Sequence, residues 1–184
     1  MNHFYKNIPG WFSYATFYES MVDKAKSGAR FVEIGCWKGR STAHLATEIK
    51  NSGKDIEFIC VDHFQGSNED AHQKDPDIDR LYDVFMHNVE PVKDQITVYA
   101  MPSTEAAKNI QDHSVDFLCL DGAHDYESVN ADLLAWLPKM KPGSTILFDD
   151  ARWSGVKENV YEFFDHKIVN HGGSGKGTYF WVQL

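Results

Sequence analysis

Two apolar runs in this chain end in residues that could do chemistry. Val115–Leu120 is continuous core material, and it runs straight into Asp121-Gly122-Ala123-His124. A second run, Ser144–Phe148, ends in Asp149-Asp150. If both are strands of one parallel sheet, their carboxyl ends share an edge and the three carboxylates converge there. Carboxylates within reach of one another repel unless they are protonated or bridged by a cation. Hard oxygen donors with room for water and substrate suit Mg²⁺. His124, one short turn past Asp121, adds an imidazole that can accept a proton near neutral pH. Taken singly, each residue reads as well as a turn cap, an exposed loop residue or a solvated strand end. Together, after the right strands, they favour a catalytic edge.

A second constellation lies upstream. In "FVEIGCWKGRS" Glu33 closes an apolar run, Gly35 and Gly39 bracket a turn, and a helical pattern follows. Glycines there let the backbone approach a ligand, and a helix start offers free N–H groups. The spacing is G-x-x-x-G, not the dinucleotide G-x-G-x-x-G, which makes a pyrophosphate the weaker reading. Asp62 ends the next apolar run, 27 residues past Gly35. From there an acid can hydrogen-bond both hydroxyls of a ribose, so the two signals together mark a nucleoside site.

The elements that must position these residues alternate. Strand patterns at "ARFVEI", "IEFICVD", "QITVYA", "SVDFLCLD" and "STILFDD" are separated by helical stretches. Among these, Thr42, Leu45, Ala46 and Ile49 share one face, as do Ile78, Leu81, Tyr82 and Phe85. Another helix buries Val129, Leu133, Trp136 and Leu137, and Ser103 is a candidate cap. A leading helix over Trp11–Lys26 has Phe17, Met21 and Ala25 spaced by four, and Pro142-Gly143 is expected to turn. The last two strands, "KIVN" and "TYFWVQL", are joined by "HGGSGKG" with no helix, the mark of an antiparallel hairpin. The pattern predicts an α/β fold: a seven-stranded, mostly parallel sheet with a C-terminal hairpin and helices on both faces. A single domain over 1–184 is expected, residues 1–28 being a helical lead-in.

The segments "VEIGCWKGRS", "VDHF" and "DGAHDYESVNADLLAWLPKMKPGSTILFDD" resemble the class I S-adenosylmethionine-dependent methyltransferases. More narrowly, they resemble the small metal-dependent O-methyltransferases of the macrolide-sugar type. The resemblance implies a Rossmann-like methyltransferase fold with S-adenosylmethionine as cofactor. It implies Glu33 and Gly35 beside the methionine part, with Gly39 and Ser41 in the same binding set, and Asp62 on the ribose. Ser103 would border the adenine and His63 cover its face; Phe64 reads equally as cover or as core. Asp121, Asp149 and Asp150 would hold a divalent metal, Mg²⁺ by chemistry, that binds the substrate hydroxyls, lowers the pKa of the reacting one and orients it. Asp121 then serves cofactor, metal and catalysis at once, and His124 is the general base. The expected reaction is an in-line displacement on the methyl group by an oxygen of a small molecule or sugar.

Composition narrows the partners. The chain has 184 residues, 42% apolar and 24% charged, with a net charge of −9. An acidic surface without a basic patch argues against nucleic acid. No apolar run approaches the ~18 residues of a membrane span, and no signal-like leader is seen, so a cytoplasmic protein is expected. Cys36, Cys60 and Cys119 lack metal spacing and read as small hydrophobes of a reducing interior. "HGGSGKGT" falls short of a phosphate-binding loop, because Gly177 follows Lys176 where Ser or Thr is needed. The polar stretch 65–80 is expected to form a lid. The aromatics Trp11 to Tyr18 could line a pocket but fit core or a subunit contact better, and a homo-oligomer is left open. Two other functions are carried: a nucleotide-binding, metal-dependent hydrolase and a non-catalytic cofactor-binding subunit. The first would need Lys38, Arg40 and Arg152 to converge on the acidic edge; the second would not need the acids and His124.

Overall fold

Seven strands build one sheet: β1 (Ala29–Ile34), β2 (Ile56–Asp62), β3 (Ile96–Ala100), β4 (Val115–Leu120), β5 (Met140–Phe148), β6 (Val169–Ser174) and β7 (Gly177–Gln183). Their order is β3-β2-β1-β4-β5-β7-β6. The first five run parallel; β7 is antiparallel to β5, and β6 to β7. The computed structural model describes residues 1–174 and 177–184. The part of the expected hairpin link at 175–176 therefore lies outside the described residues.

Among the described residues seven α-helices accompany the sheet: α1 (Ala15–Lys24), α2 (Arg40–Ser52), α3 (Asp70–Gln73), α4 (Leu81–Asn88), α5 (Ser103–Ala106), α6 (Tyr126–Trp136) and α7 (Ser154–Phe163). Strand residues alternate between the two faces. Val32, Ile34, Val61, Leu118, Leu120 and Phe148 pack with Leu133 and Trp136 of α6 and Val156 and Val160 of α7. Phe31, Phe58, Cys60, Phe117, Cys119 and Leu147 pack with Tyr18 of α1, Leu45 of α2 and Phe85 of α4. This is the Rossmann-like methyltransferase arrangement expected, a three-layer sandwich whose parallel strands all end at one edge. Among the described residues no helix is long and apolar enough to cross a membrane.

Several local readings need correction. The leading helix begins at Ala15, and its fully buried line is Tyr14, Tyr18 and Val22; Phe17, Met21 and Ala25 lie beside it, partly buried. The aromatic rings decide that rotation, because Tyr14 and Tyr18 also carry hydroxyls that reach buried acids. Pro142-Gly143 does not end an element. It sits inside β5, where the register against β4 shifts and Gly143 takes φ +82°. Ser103 is not a cap either: Pro102 occupies that position, and the Ser103 hydroxyl donates to Asp132. Tyr82 is 43% exposed, although its ring edge meets Phe64.

Candidate active site

The turn between β1 and α2 is shaped by close approaches. Gly35 has φ +85°, and a Cβ there would lie 2.0 Å from the Asp121 carbonyl oxygen, so only glycine lets β1 and β4 open against each other. Asp62 ends β2 and holds the turn from the side. Its Oδ2 accepts the backbone N–H of Cys36 at 2.8 Å and of Trp37 at 2.9 Å, and its Oδ1 accepts that of Phe64 at 2.7 Å. Three charge-assisted bonds fix two loops, and a carboxylate with about four lone-pair sites keeps one for a ligand.

Glu33 does not face a ligand. Strand alternation puts it on the same side of β1 as Phe31, under α1 and α2. It is fully buried, and its carboxylate accepts the hydroxyls of Tyr18, at 2.8 Å, and Thr42. Burial pushes its pKa up, and the hydroxyl bonds oppose this. Glu33, expected beside the methionine part of the cofactor, ties two helices to the sheet and lines neither of the cavities described below. Gly39 lines neither cavity, and a Cβ there would lie 2.7 Å from Val89 Cγ1 and 3.1 Å from the Phe85 ring.

The acids beyond β4 and β5 do share an edge. Asp121 Oδ2 accepts the Tyr14 hydroxyl at 2.6 Å across 107 residues. Burial first, and the Asp149 charge next, hold the Asp121 carboxyl well above the usual range. Burial also pushes Asp149 up to about 6, and its Oδ1 is buried without a hydrogen-bond partner. Asp150, at φ +52°, turns the other way, 3.4 Å from His124 Nε2. His124 Nδ1 meets Glu69 Oε1 at 3.1 Å, Nε2 lies 3.9 Å from Asp121 Oδ1, and the ring stacks on Trp153 at 5.4 Å. Gly155 lets α7 start against this loop, since a Cβ there would sit 2.5 Å from the His124 carbonyl oxygen.

Whether the acids converge enough for a cation can be read from donor spacing. Among the described residues, the three-donor group whose ligand atoms lie within 4.8 Å of one another is Glu33, Cys36 and Cys60, not Asp121, Asp149 and Asp150. The first group is core: the carboxylate is already bonded, and burial raises both thiols, which keeps them protonated. The aspartates offer hard oxygens and one orphaned buried oxygen, the donor chemistry a divalent cation takes, at a wider spacing than that core group.

Two cavities meet at this edge. The smaller, about 270 Å³, is lined by Asp62, His63, Ser103, Asp132, Ser67 and Gly122 among others. The larger, about 570 Å³, is lined by Ser41, Glu69, His124, Asp149, Asp150 and Trp153 among others. Gly35, Trp37, His72, Asp121 and Gly122 line both and form the wall and doorway between them. Phe64 lies in neither; it packs on Phe85, which settles it as core. The segment expected to be a lid does fold over the doorway: the His72 ring stacks on Trp37 at 4.1 Å, and buried Lys38 bonds Asp75 at 2.7 Å and Asp77 at 2.8 Å. Lys38 is thus consumed as a latch and lines neither cavity.

Sequence reasoning missed Asp132, Glu69 and Tyr14. Asp132 lines the smaller cavity, and burial pushes it up to about 6 against the Ser103 hydroxyl bond. An acid one residue before Leu133 on an otherwise apolar helix face was its signal. Glu69 and Tyr14 had none, because their partners lie 55 and 107 residues away.

Comparison with known proteins gives a concordant picture. A family model described as a methyltransferase domain matches residues 32–151. The uncharacterized protein y4gI of Sinorhizobium fredii (strain NBRC 101917 / NGR234) is 31% identical over 148 residues, 80% of this chain. The chain spans 16% of the length of that relative. The structure of an O-methyltransferase from Bacillus cereus in complex with SAH is similar over 97% of this chain and 86% of that one, at TM-score 0.64 and 19% identity. The O-methyltransferase NovP is similar over 92% and 78%, at TM-score 0.66 and 16% identity. CalS11, a TDP-rhamnose 3'-O-methyltransferase of calicheamicin biosynthesis, is similar over 92% and 76%, at TM-score 0.62 and 15% identity. At such identities the three structures speak for the fold.

Proposed function

The chain belongs to the methyltransferase domain family, and on that footing we propose that it moves the methyl group of S-adenosylmethionine onto a hydroxyl oxygen of a small molecule or sugar. The observation that carries this reading is the pair of cavities joined at Asp121 and Gly122. One has the size and polar groups for a nucleoside, with Asp62 for the ribose and Ser103, His63 and Asp132 around the base. The other presents His124 and the acids to an acceptor. The cofactor supplies an electrophilic methyl group, so the protein's task is to align an oxygen with it in the doorway and remove that oxygen's proton.

His124 is the proposed base. Glu69 holds Nδ1, which leaves Nε2 facing the Asp121–Asp150 side of the cavity. Trp153 fixes the plane of the ring. Ser41, at the start of α2, lines the larger cavity beside Gly35, which lines the doorway between the two. Asp121, Asp149 and Asp150 are the proposed holders of a divalent cation, which when bound lowers the pKa of an acceptor hydroxyl and orients it.

Calorimetric titration with S-adenosylmethionine, with and without Mg²⁺ and with NADH and ATP as controls, tests the reading. Micromolar binding of S-adenosylmethionine alone is expected. ATP binding in its place would mean that the strand-end acids serve phosphate chemistry. For the metal, Asp149→Asn should keep cofactor affinity and remove Mg²⁺ dependence; turnover surviving thorough chelation would end that part of the proposal.

A further inference from the structure

Two arginines of the larger cavity make no ion pair among the described residues. The chain has four arginines. Arg30 pairs with Glu57 and Arg80 with Asp77, both at 2.7 Å. Arg40 and Arg152, the two that line the larger cavity, have no carboxylate within 4.0 Å among the described residues. Yet Glu69, Asp121, Asp149 and Asp150 line the same cavity, in a chain with 27 acids against 18 bases. Acids and arginines therefore line one cavity without meeting in an ion pair.

Arg40 is also held in place. Its Nη1 donates to the Gly10 carbonyl at 2.8 Å, while Nε is buried without a partner. A buried donor left open is costly and calls for an explanation. A guanidinium fixed by one arm, with its remaining N–H groups free, matches the fork that binds a carboxylate or phosphate. Arg152 sits between Asp150 and the half-exposed Trp153, away from the smaller cavity.

We propose that Arg40 and Arg152 form an anion subsite of the acceptor cavity, and that the acceptor carries a carboxylate or phosphate besides the hydroxyl that is methylated. This rests on the function proposed above only for the word acceptor; the anion site itself does not depend on it. The acids would hold the reacting hydroxyl and the arginines the charged group, which orients a polyol with many similar hydroxyls. The methionine carboxylate of the cofactor is the competing source of the same chemistry.

The test uses the ¹⁵N-labelled full chain and the arginine Nε–H resonances, assigned by their loss in Arg40→Gln and Arg152→Gln. Inorganic phosphate and acetate are titrated at constant ionic strength against chloride, first alone and then with S-adenosylhomocysteine saturating. The Arg40 signal is expected to shift with saturation for phosphate or acetate and to keep doing so with S-adenosylhomocysteine bound; the more effective anion names the group. Arg152→Gln should weaken the response about threefold, the worth of one exposed ion pair. No saturable shift beyond that of chloride overturns the proposal. So does a response abolished by S-adenosylhomocysteine, which would assign the site to the cofactor's carboxylate. If Arg40→Gln fails to fold, Arg40→Lys gives the same assignment. A saturable anion response without any effect of S-adenosylhomocysteine on the spectrum would leave the anion site standing and count against the cofactor reading instead.

Discussion

Replacing Asp62 by Asn removes one charge and exchanges one oxygen for an amino group, with little change in volume. In the native chain the carboxylate accepts three backbone N–H groups, from Cys36, Trp37 and Phe64 at 2.7–2.9 Å. If the amide oxygen stays on Cys36 and Trp37, the Phe64 N–H faces another donor. That loses one charge-assisted bond outright, about 2 kcal/mol, and weakens two others by about 1 kcal/mol each. The expected loss is about 4 kcal/mol, or about 10 °C in Tm for a chain of this size. Phe64 is held at φ +57°, so its loop is the first part expected to loosen. Urea denaturation gives the stability change, and calorimetry with S-adenosylhomocysteine under folding conditions gives the effect on the nucleoside site. A loss below about 1 kcal/mol at unchanged m-value would refute the reasoning, since bonds to a partly buried carboxylate would then be worth no more than surface ones. Cofactor affinity surviving in a destabilised variant would keep Asp62 as a clamp and remove it as a ribose ligand.

Asp132 carries a pH signature. Its carboxyl titrates near 6 in the fold against 3.8 as a free side chain, so its contribution is fully present below pH ~4 and is lost as pH rises through about 6. The displacement of about two pH units is worth about 3 kcal/mol at pH 8. Asp132→Asn should therefore gain about 2 kcal/mol on the native protein between pH 4 and pH 8; equal stability differences at both pH values would count against it. Gly35→Ala places a Cβ 2.0 Å from the Asp121 carbonyl oxygen and should cost about 4 kcal/mol or more, seen as a lowered Tm or insoluble protein. His124→Gln should lower kcat about 100-fold while leaving S-adenosylhomocysteine affinity within about twofold, and a native rate would remove it as base.

The sequence alone was enough for the layout. Continuous apolar runs marked β1, β2 and β4 to within a residue, and the alternation with helical stretches implied a parallel sheet whose carboxyl ends share an edge. From that edge followed the positions of Asp62, Asp121, His124, Asp149 and Asp150, because a residue just past a strand has nowhere else to go. What periodicity carries is local, and it stops where a side chain's neighbours come from distant segments. That Glu33 lies under Tyr18 and Thr42 follows only from its place on the Phe31 face. Asp62 looked free until the turn at Cys36 and Trp37 closed on it. The partners Tyr14 of Asp121 and Glu69 of His124 arise only when the leading helix and the lid pack down. So does the contrast between Arg30 and Arg80, paired with acids, and Arg40 and Arg152, which make no ion pair among the described residues. Residue type and strand position settle which groups reach the edge; the fold decides which remain free to act, because a hydrogen bond or ion pair is made by whatever the tertiary structure brings within about 3 Å.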